Sequence, residues 1–142
     1  MTGETVVRID CHVHTRGSYD STASLEAVLT SARDAGLDGV VVTDHDCLSY
    51  ALAAVERAEA LGLIGIPGVE ISTADGHILG IGLETRPPSG LSFVETVARV
   101  RKAGGLAVVP HPFQRSRHGV PAETITGCDG IEVFDPTARR GS

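Results

Sequence analysis

Apolar residues in this chain come in short, nearly unbroken runs separated by longer amphipathic stretches. The runs at 6–10, 39–43, 63–66, 78–83, 106–109 and 130–134 are rich in Val, Ile and Leu, as expected of β-strands covered on both faces. Between them the period changes to that of helices. Ser24 is placed to cap the run 25–35, where Leu25, Val28, Leu29 and Ala32 share one face, and Gly36 to close it in a left-handed turn. Residues 49–61 repeat the plan and end at Gly62. Ser92 and Glu95 stand at capping-box spacing before a helix that carries Val94, Val97, Ala98 and Arg101 and stops at Gly104-Gly105. All three helices end in Ala-Gly or Leu-Gly and pass almost at once into a strand.

Strands alternating with helices of this length imply parallel pairing through right-handed crossovers, in an open sheet or part of a barrel. Active sites in such folds lie beyond the carboxyl ends of the strands. Residues 85–90 are the one linker-like stretch and make an ordinary loop, so a single domain over 1–142 is expected.

Composition narrows the class. A chain of 142 residues can bury a core that needs neither disulfides nor an oligomer to fold. It contains no apolar run near the roughly 20 residues of a membrane span and no signal-peptide pattern at Met1, which predicts a cytoplasmic protein with no membrane partner. Cys11, Cys47 and Cys128 are widely spaced with no C-x-x-C pair, as for reduced, buried thiols. The formal charge of −6 gives no broad basic face for duplex nucleic acid, and bound cations would cancel part of it.

Five of the six histidines, His12, His14, His45, His77 and His111, sit in or beside the apolar runs. A single histidine near a strand end is usually a hydrogen-bonded core or surface residue; a His-x-His pair there points the other way. Side chains at i and i+2 share one face of a strand, so His12 and His14 present two imidazoles to one ion. Asp20 reads equally well as a ligand from a loop curling over the strand end and as a turn aspartate beside Ser21 and Thr22. Thr43-Asp44-His45-Asp46 closes the second strand, His45 adding a nitrogen and Asp44 or Asp46 able to orient an imidazole. Glu70, between Val69 and Ile71 after the third strand, would be costly to bury unless ion-paired or metal-bound, and its two oxygens suit it to bridge two cations. His77 precedes its apolar run, so either that strand begins earlier or it runs antiparallel. His111 is held between Pro110 and Pro112, whereas His118 reads as a solvated loop residue.

All-N/O donors suit two to three divalent ions of Mn²⁺, Zn²⁺ or Fe²⁺. Such cations lower the pKa of bound water from about 16 toward roughly 7, supplying hydroxide, and paired cations hold both the attacking and leaving oxygens of a phosphoester. The expected activity is therefore that of a metal-dependent phosphoric ester hydrolase. Arg115 and Arg117 could grip a substrate phosphate or serve only solubility.

These motifs resemble the PHP (polymerase and histidinol phosphatase) family. Asp10-Cys11-His12-Val13-His14 with Ser18-Tyr19-Asp20 is similar to its first motif, Thr43-Asp44-His45 to its second, Gly68-Val69-Glu70 to its third and Pro110-His111-Pro112 to its fourth; Gly76-His77-Ile78-Leu79-Gly80 resembles a further metal-binding segment. The resemblance implies an α/β fold, a distorted (β/α)₇ barrel with a trinuclear site. By motif, His12, His14 and Glu70 would hold one ion, Glu70, His77 and His111 a second, and Asp20 with His45 a third. The similarity is greatest to small stand-alone phosphoesterases acting on nucleotides or RNA ends, so a small phosphorylated substrate or a nucleic-acid end is the implied partner. Family members continue past the strand at 130–134 to a Gly-Ser-Asp-Ala-His type segment that this sequence lacks. The expectation is an incomplete barrel, truncated at its C-terminus, whose open edge a second copy or another partner covers. Two other readings stand beside phosphoester hydrolysis: a catalytically impaired relic or accessory metal-binding module, and an amidohydrolase-like C–N hydrolase.

Overall fold

The structure, a computed structural model, describes residues 3–112, 114 and 117–133. In chain order it consists of β1 (Ile9–Val13), α1 (Leu25–Asp34), β2 (Gly39–Val42), α2 (Ser49–Ala58) continued by a 3₁₀ turn (Glu59–Leu61), β3 (Ile64–Thr73), β4 (Gly76–Ile81), α3 (Phe93–Lys102), β5 (Leu106–Val109), a 3₁₀ turn (Ala122–Thr124) and β6 (Gly130–Ile131). The strands form one sheet in sequence order. β1, β2 and the first half of β3 pair parallel, as do β5 and β6, but β4 runs antiparallel to both neighbours. The sheet curls into a half-barrel, the architecture expected of an incomplete PHP-type barrel. The curl is strong enough that His12 of β1 meets Glu132, just past β6, at 2.7 Å.

Two strands depart from the apolar runs that announced them. β1 spans 9–13 instead of 6–10: Val6 and Val7 are 74% and 47% exposed, with no core to cover them, and pairing begins only at Ile9 opposite Gly39. β3 extends well past residue 66. Its residues 64–67 pair with β2, and its residues 68–73 pair with β4, so Glu70 lies within a strand and not after one. The β3–β4 connection is a tight hairpin at Ala74-Asp75, and this resolves His77: the strand begins at Gly76 and is antiparallel.

The helices follow the capping chemistry closely. The Ser24 and Ser92 hydroxyls each accept from the N–H three residues on, at 3.1 Å. At the other ends Gly36, Gly62 and Gly104 take φ of 81°, 70° and 87°, and the next residue closes the turn: Leu37 N to Ala32 O, Leu63 N to Ala58 O and Gly105 N to Val100 O, at 2.9–3.0 Å. This left-handed turn satisfies otherwise orphaned carbonyls. α2 differs at its start: Leu48 is the N-cap, without a side-chain hydrogen bond, and Ser49 is the first helical residue. α3 buries Phe93, Thr96, Val97 and Val100, leaving Val94 62% exposed instead of facing the core.

Two apolar clusters hold the helices on the outside of the curl. Leu25, Leu29 and Ala32 of α1 and Ala51, Ala54 and Ala58 of α2 pack with Val40 and Val42. α2 approaches so closely that a Cβ on Gly65 of β3 would lie 2.8 Å from the Val55 Cα. Phe93, Val97 and Val100 of α3 pack with Val69, Ile71, Ile78, Ala107 and Val109. Each half of the sheet therefore has its own backing, and the inner face carries the polar site residues together with Val41 and Leu79. The cysteines are free, and none is buried; Cys11 is exposed, because alternation along β1 turns it away from the site. No helix among the described residues is long and apolar enough to cross a membrane.

Candidate metal centre

Glu70 is the hub of the inner face. Its neighbours Val69 and Ile71 enter the core, so strand alternation turns the Glu70 carboxylate to the opposite side, where it is fully buried. Five imidazoles surround it. His12 Nε2 and His14 Nε2 lie 3.0 and 2.7 Å from Oε1, with His45 Nε2 at 3.7 Å; His77 Nδ1 and His111 Nε2 lie 2.9 and 3.1 Å from Oε2. β1, the β2–α2 loop, β3, the start of β4 and the end of β5 thus each contribute to one point.

Asp20 joins this cluster from the β1–α1 loop, with Oδ1 3.0 Å from His14 Nδ1 and Oδ2 3.0 Å from His45 Nε2. The loop reaches that position because Asp44, fully buried, accepts from the Thr15 N–H, the Thr15 hydroxyl and the Ser18 hydroxyl at 2.6, 2.6 and 2.8 Å. Ser18 Oγ in turn accepts from His45 N at 2.9 Å. Asp46, at φ 47°, accepts from Ser72 N at 2.9 Å. Asp44 and Asp46 therefore fasten backbone, and neither is seen orienting an imidazole as their position beside His45 suggested.

The orienting carboxylate is one that the sequence reading passed over. Glu132 Oε2 lies 2.7 Å from His12 Nδ1, and Oε1 accepts from His111 N at 3.1 Å. The argument that singled out Glu70, a lone carboxylate inside an apolar run, applies equally to Gly130-Ile131-Glu132-Val133. Tyr19 was also missed as a site residue; it is 80% exposed, and its ring stacks on His45 with centroids 4.7 Å apart. Arg117 lines the cleft with His14, Asp20, His45, Glu70 and His77, while Arg115 lies outside the described residues. His118 is exposed as expected, but its ring sits 5.1 Å from that of His77.

Protonation shows what this arrangement lacks. Burial alone would raise the Glu70 pKa, yet the close imidazoles of His111, His12, His14 and His77 hold it far below the usual carboxylate range. Burial works to lower the His12 pKa, but hydrogen bonds to Glu132 and Glu70 raise it to about 10. His14 is raised in the same way by Glu70, and Asp20 is lowered, partial burial being outweighed by His45 and His14. In the protein alone His12 and His14 each face carboxylates with both ring nitrogens and must be imidazolium to satisfy them. The Nδ1 atoms of His45, His77 and His111, by contrast, are buried with no hydrogen-bond partner among the described residues. His77 Nδ1 is close to Oε2 but off the line that a hydrogen bond requires.

Cations bear on both anomalies, the second at His77, whose orphaned Nδ1 is the one that faces Glu70. They would replace the protons on the Oε1 side and give His77 Nδ1 an acceptor for its lone pair. Three groups bring their donor atoms within 4.8 Å of one another: His12, His14 and Glu70; His14, Asp20 and His45; and His45, Glu70 and His77. His111 lies against the same carboxylate oxygen as His77. His12, with Glu132 behind its second nitrogen, has the carboxylate–histidine arrangement typical of metal ligands.

Known proteins resemble this chain in sequence and fold. Uncharacterized protein MJ1587 of Methanocaldococcus jannaschii is 30% identical over 146 residues, covering 95% of this chain and 85% of that protein. Phosphoribosyl 1,2-cyclic phosphate 1,2-diphosphodiesterase of Eggerthella lenta is 33% identical over 103 residues, 68% of this chain but only 39% of that enzyme. A solved structure described as a proposed metal-dependent phosphoesterase from Bifidobacterium adolescentis superposes with a TM-score of 0.72 at 20% identity, over 90% of this chain and 77% of that one, a likeness of fold. The family model described as PHP domain matches residues 10–121, which include every metal-ligand candidate above, and the chain belongs to the PHP domain family.

Proposed function

We propose that this protein hydrolyses phosphate monoesters, using divalent ions held around Glu70. The observation that carries this reading is the convergence of five imidazoles on one fully buried carboxylate. His12, His14 and Glu70 would hold one ion, His45, His77 and His111 with Glu70 a second, and Asp20 with His14 and His45 a third. When bound, such ions act as Lewis acids toward phosphoryl oxygens and acidify water near neutral pH.

The chain's own residues supply positioning. Glu132 fixes the His12 ring and the His111 backbone, and Asp44 fixes the loop that presents Asp20. Arg117 lines the cleft of about 200 Å³ over Glu70 and suits the phosphate as a forked donor. N/O donors without thiolate favour Mn²⁺, Zn²⁺ or Fe²⁺. The test is release of inorganic phosphate from a monoester by protein purified with chelator and reloaded with Mn²⁺. Turnover that needs the metal and disappears in His12→Ala supports the proposal; a protein that takes up no Mn²⁺ or Zn²⁺, or binds them without turnover, contradicts it.

A further inference from the structure

The outer edge of β1 meets no strand among the described residues: β1 stands at the end of the sheet and pairs only with β2. Which of its backbone groups face that edge follows from the pairing on the other side. Arg8 O accepts from Asp38 N at 2.8 Å and Arg8 N donates to Asp38 Oδ2 at 2.8 Å, so the Arg8 backbone faces β2. Alternation then turns the N–H and C=O groups of Val7 and Ile9 to the open side. Val6 and Val7, which lead into the strand, are both exposed. Natural sheets rarely leave such an edge bare. Arg8 and Asp10 are exposed as well, and neither has an ion-pair partner among the described residues. Asp10 Oδ1 accepts from His12 N at 3.1 Å, which leaves its other oxygen to a partner.

These two charges make the segment its own complement. When residues 5–13 of two copies run antiparallel about an axis at Ile9, Ile9 faces Ile9 as a hydrogen-bonded pair, which is what the outward turn of its backbone requires. Arg8 of each copy then stands directly opposite Asp10 of the other, and Val7 opposite Cys11. Moving the axis by one residue presents the wrong backbone groups to the edge. Moving it by two, to Val7, sets Asp10 against Glu4, a pair of like charges. Moving it to Cys11 centres the pairing on the irregularity between Asp10 and Val13.

A groove of about 350 Å³ runs beside this edge between β1 and α1, lined by Asp10, Val13, Ala27, Val28, Ser31 and Ala35 among others. Asp10 lies on the groove side of the strand, so Val6 and Arg8 of an extended segment share that side. In the register centred on Ile9, Val6 of the second copy lies one step beyond Arg8 toward Val13, over the apolar floor of the groove. The His12–Glu132 contact closes the curl at the carboxyl end of β1, whereas this pairing is centred nearer the amino end.

We propose that this surface is a self-association site: two copies of the chain join through antiparallel β1 strands about Ile9, held by two Arg8–Asp10 pairs, with Val6 of each in the α1 groove of the other. The inference does not rest on the hydrolytic reading.

Sedimentation of the 142-residue chain over a range of concentrations reads the dimer directly. Arg8→Asp places two like-charged pairs in the interface and should raise the dimer Kd about tenfold or more. Asp10→Arg should do the same, while the double variant Arg8→Asp/Asp10→Arg restores both pairs with the charges exchanged and should return the Kd to near the wild-type value. That rescue separates pairing from a loss of folding. A second variant fixes the register. With the native cysteines replaced by serine, Ile9→Cys sets thiols on two residues whose Cα atoms lie about 5.5 Å apart in such a pair, within disulfide reach. Mild oxidation should give a covalent dimer, and Leu52→Cys, on α2, should not. A chain that stays monomeric at every concentration, or a dimer whose Kd ignores both charge reversals and that does not cross-link at residue 9, would overturn the proposal.

Discussion

The two oxygens of Glu70 sit in different chemical settings. On the Oε1 side, His12 and His14 are backed by carboxylates, Glu132 and Asp20, so each ring is clamped between two acidic groups. On the Oε2 side, His77 and His111 are almost fully buried, and their Nδ1 atoms have no partner among the described residues. The first side is satisfied by protons when no cation is present; the second is not. One carboxylate thus joins a half-site where a cation must displace protons to a half-site where it would fill an existing deficit at His77 Nδ1.

The largest effect comes from the shared atom pair. Glu70→Gln removes the charge common to both sides, and should reduce Mn²⁺ affinity by more than the about 10–100-fold that follows loss of an outer partner. Calorimetry that finds wild-type affinity in this variant would break the comparison at its hub. Glu132→Gln should act mainly on the Oε1 side, because its amide oxygen can still accept from His111 N. His12 loses its orienting carboxylate, so the tightest Mn²⁺ binding event attributable to His12 and His14 weakens by about 10–100-fold. A third ion-binding event left unchanged beside it sharpens the asymmetry, whereas uniform weakening of every event erases it.

A smaller effect is set by pH. The metal-free pKa of His12 is raised to about 10 against an ordinary 6.5, so its pairing with Glu132 and Glu70 stabilises the metal-free fold fully below about pH 6.5 and is lost as pH rises through about 10. A cation competes with the same proton. Mn²⁺ affinity should therefore rise with pH from 6 to 9, with protons released on binding, measurable as a dependence of the titration heat on buffer ionisation. The smallest effect is expected far from both oxygens: Ser24→Ala removes the α1 cap, costing about 1 kcal/mol in thermal or denaturant unfolding, with metal uptake unchanged.

Much of this geometry was legible in local pattern. The serine caps and the Gly36, Gly62 and Gly104 termini are short-range chemistry, decided within one helical turn. The clustering of His12, His14, His45 and His111 followed from placing each at a strand end, and Glu70 stood out as a lone carboxylate in an apolar run although it lies within β3. What escaped depended on distant partners. β1 starts at Ile9 because pairing with Gly39, and not its own hydrophobicity, defines it. The antiparallel course of β4 is one of two readings that the sequence leaves open at His77, and its turn, Ala74-Asp75, cannot decide between them because it lacks the Asn-Gly signature of such hairpins. Asp44 looked like a companion of His45, but alternation and the Thr15–Ser18 loop gave it another task. Glu132 reaches His12 across 120 positions, and only the curl of the sheet makes them neighbours.

The claim at the centre is that Glu70 is shared between cations on its two sides. Anomalous diffraction from crystals soaked in Mn²⁺ tests it most directly. The expected result is a manganese peak on each side of the Glu70 carboxylate, one within coordination distance of His12 and His14 and another within reach of His77. Manganese confined to surface carboxylates, with the imidazoles still closed on Glu70, would contradict it.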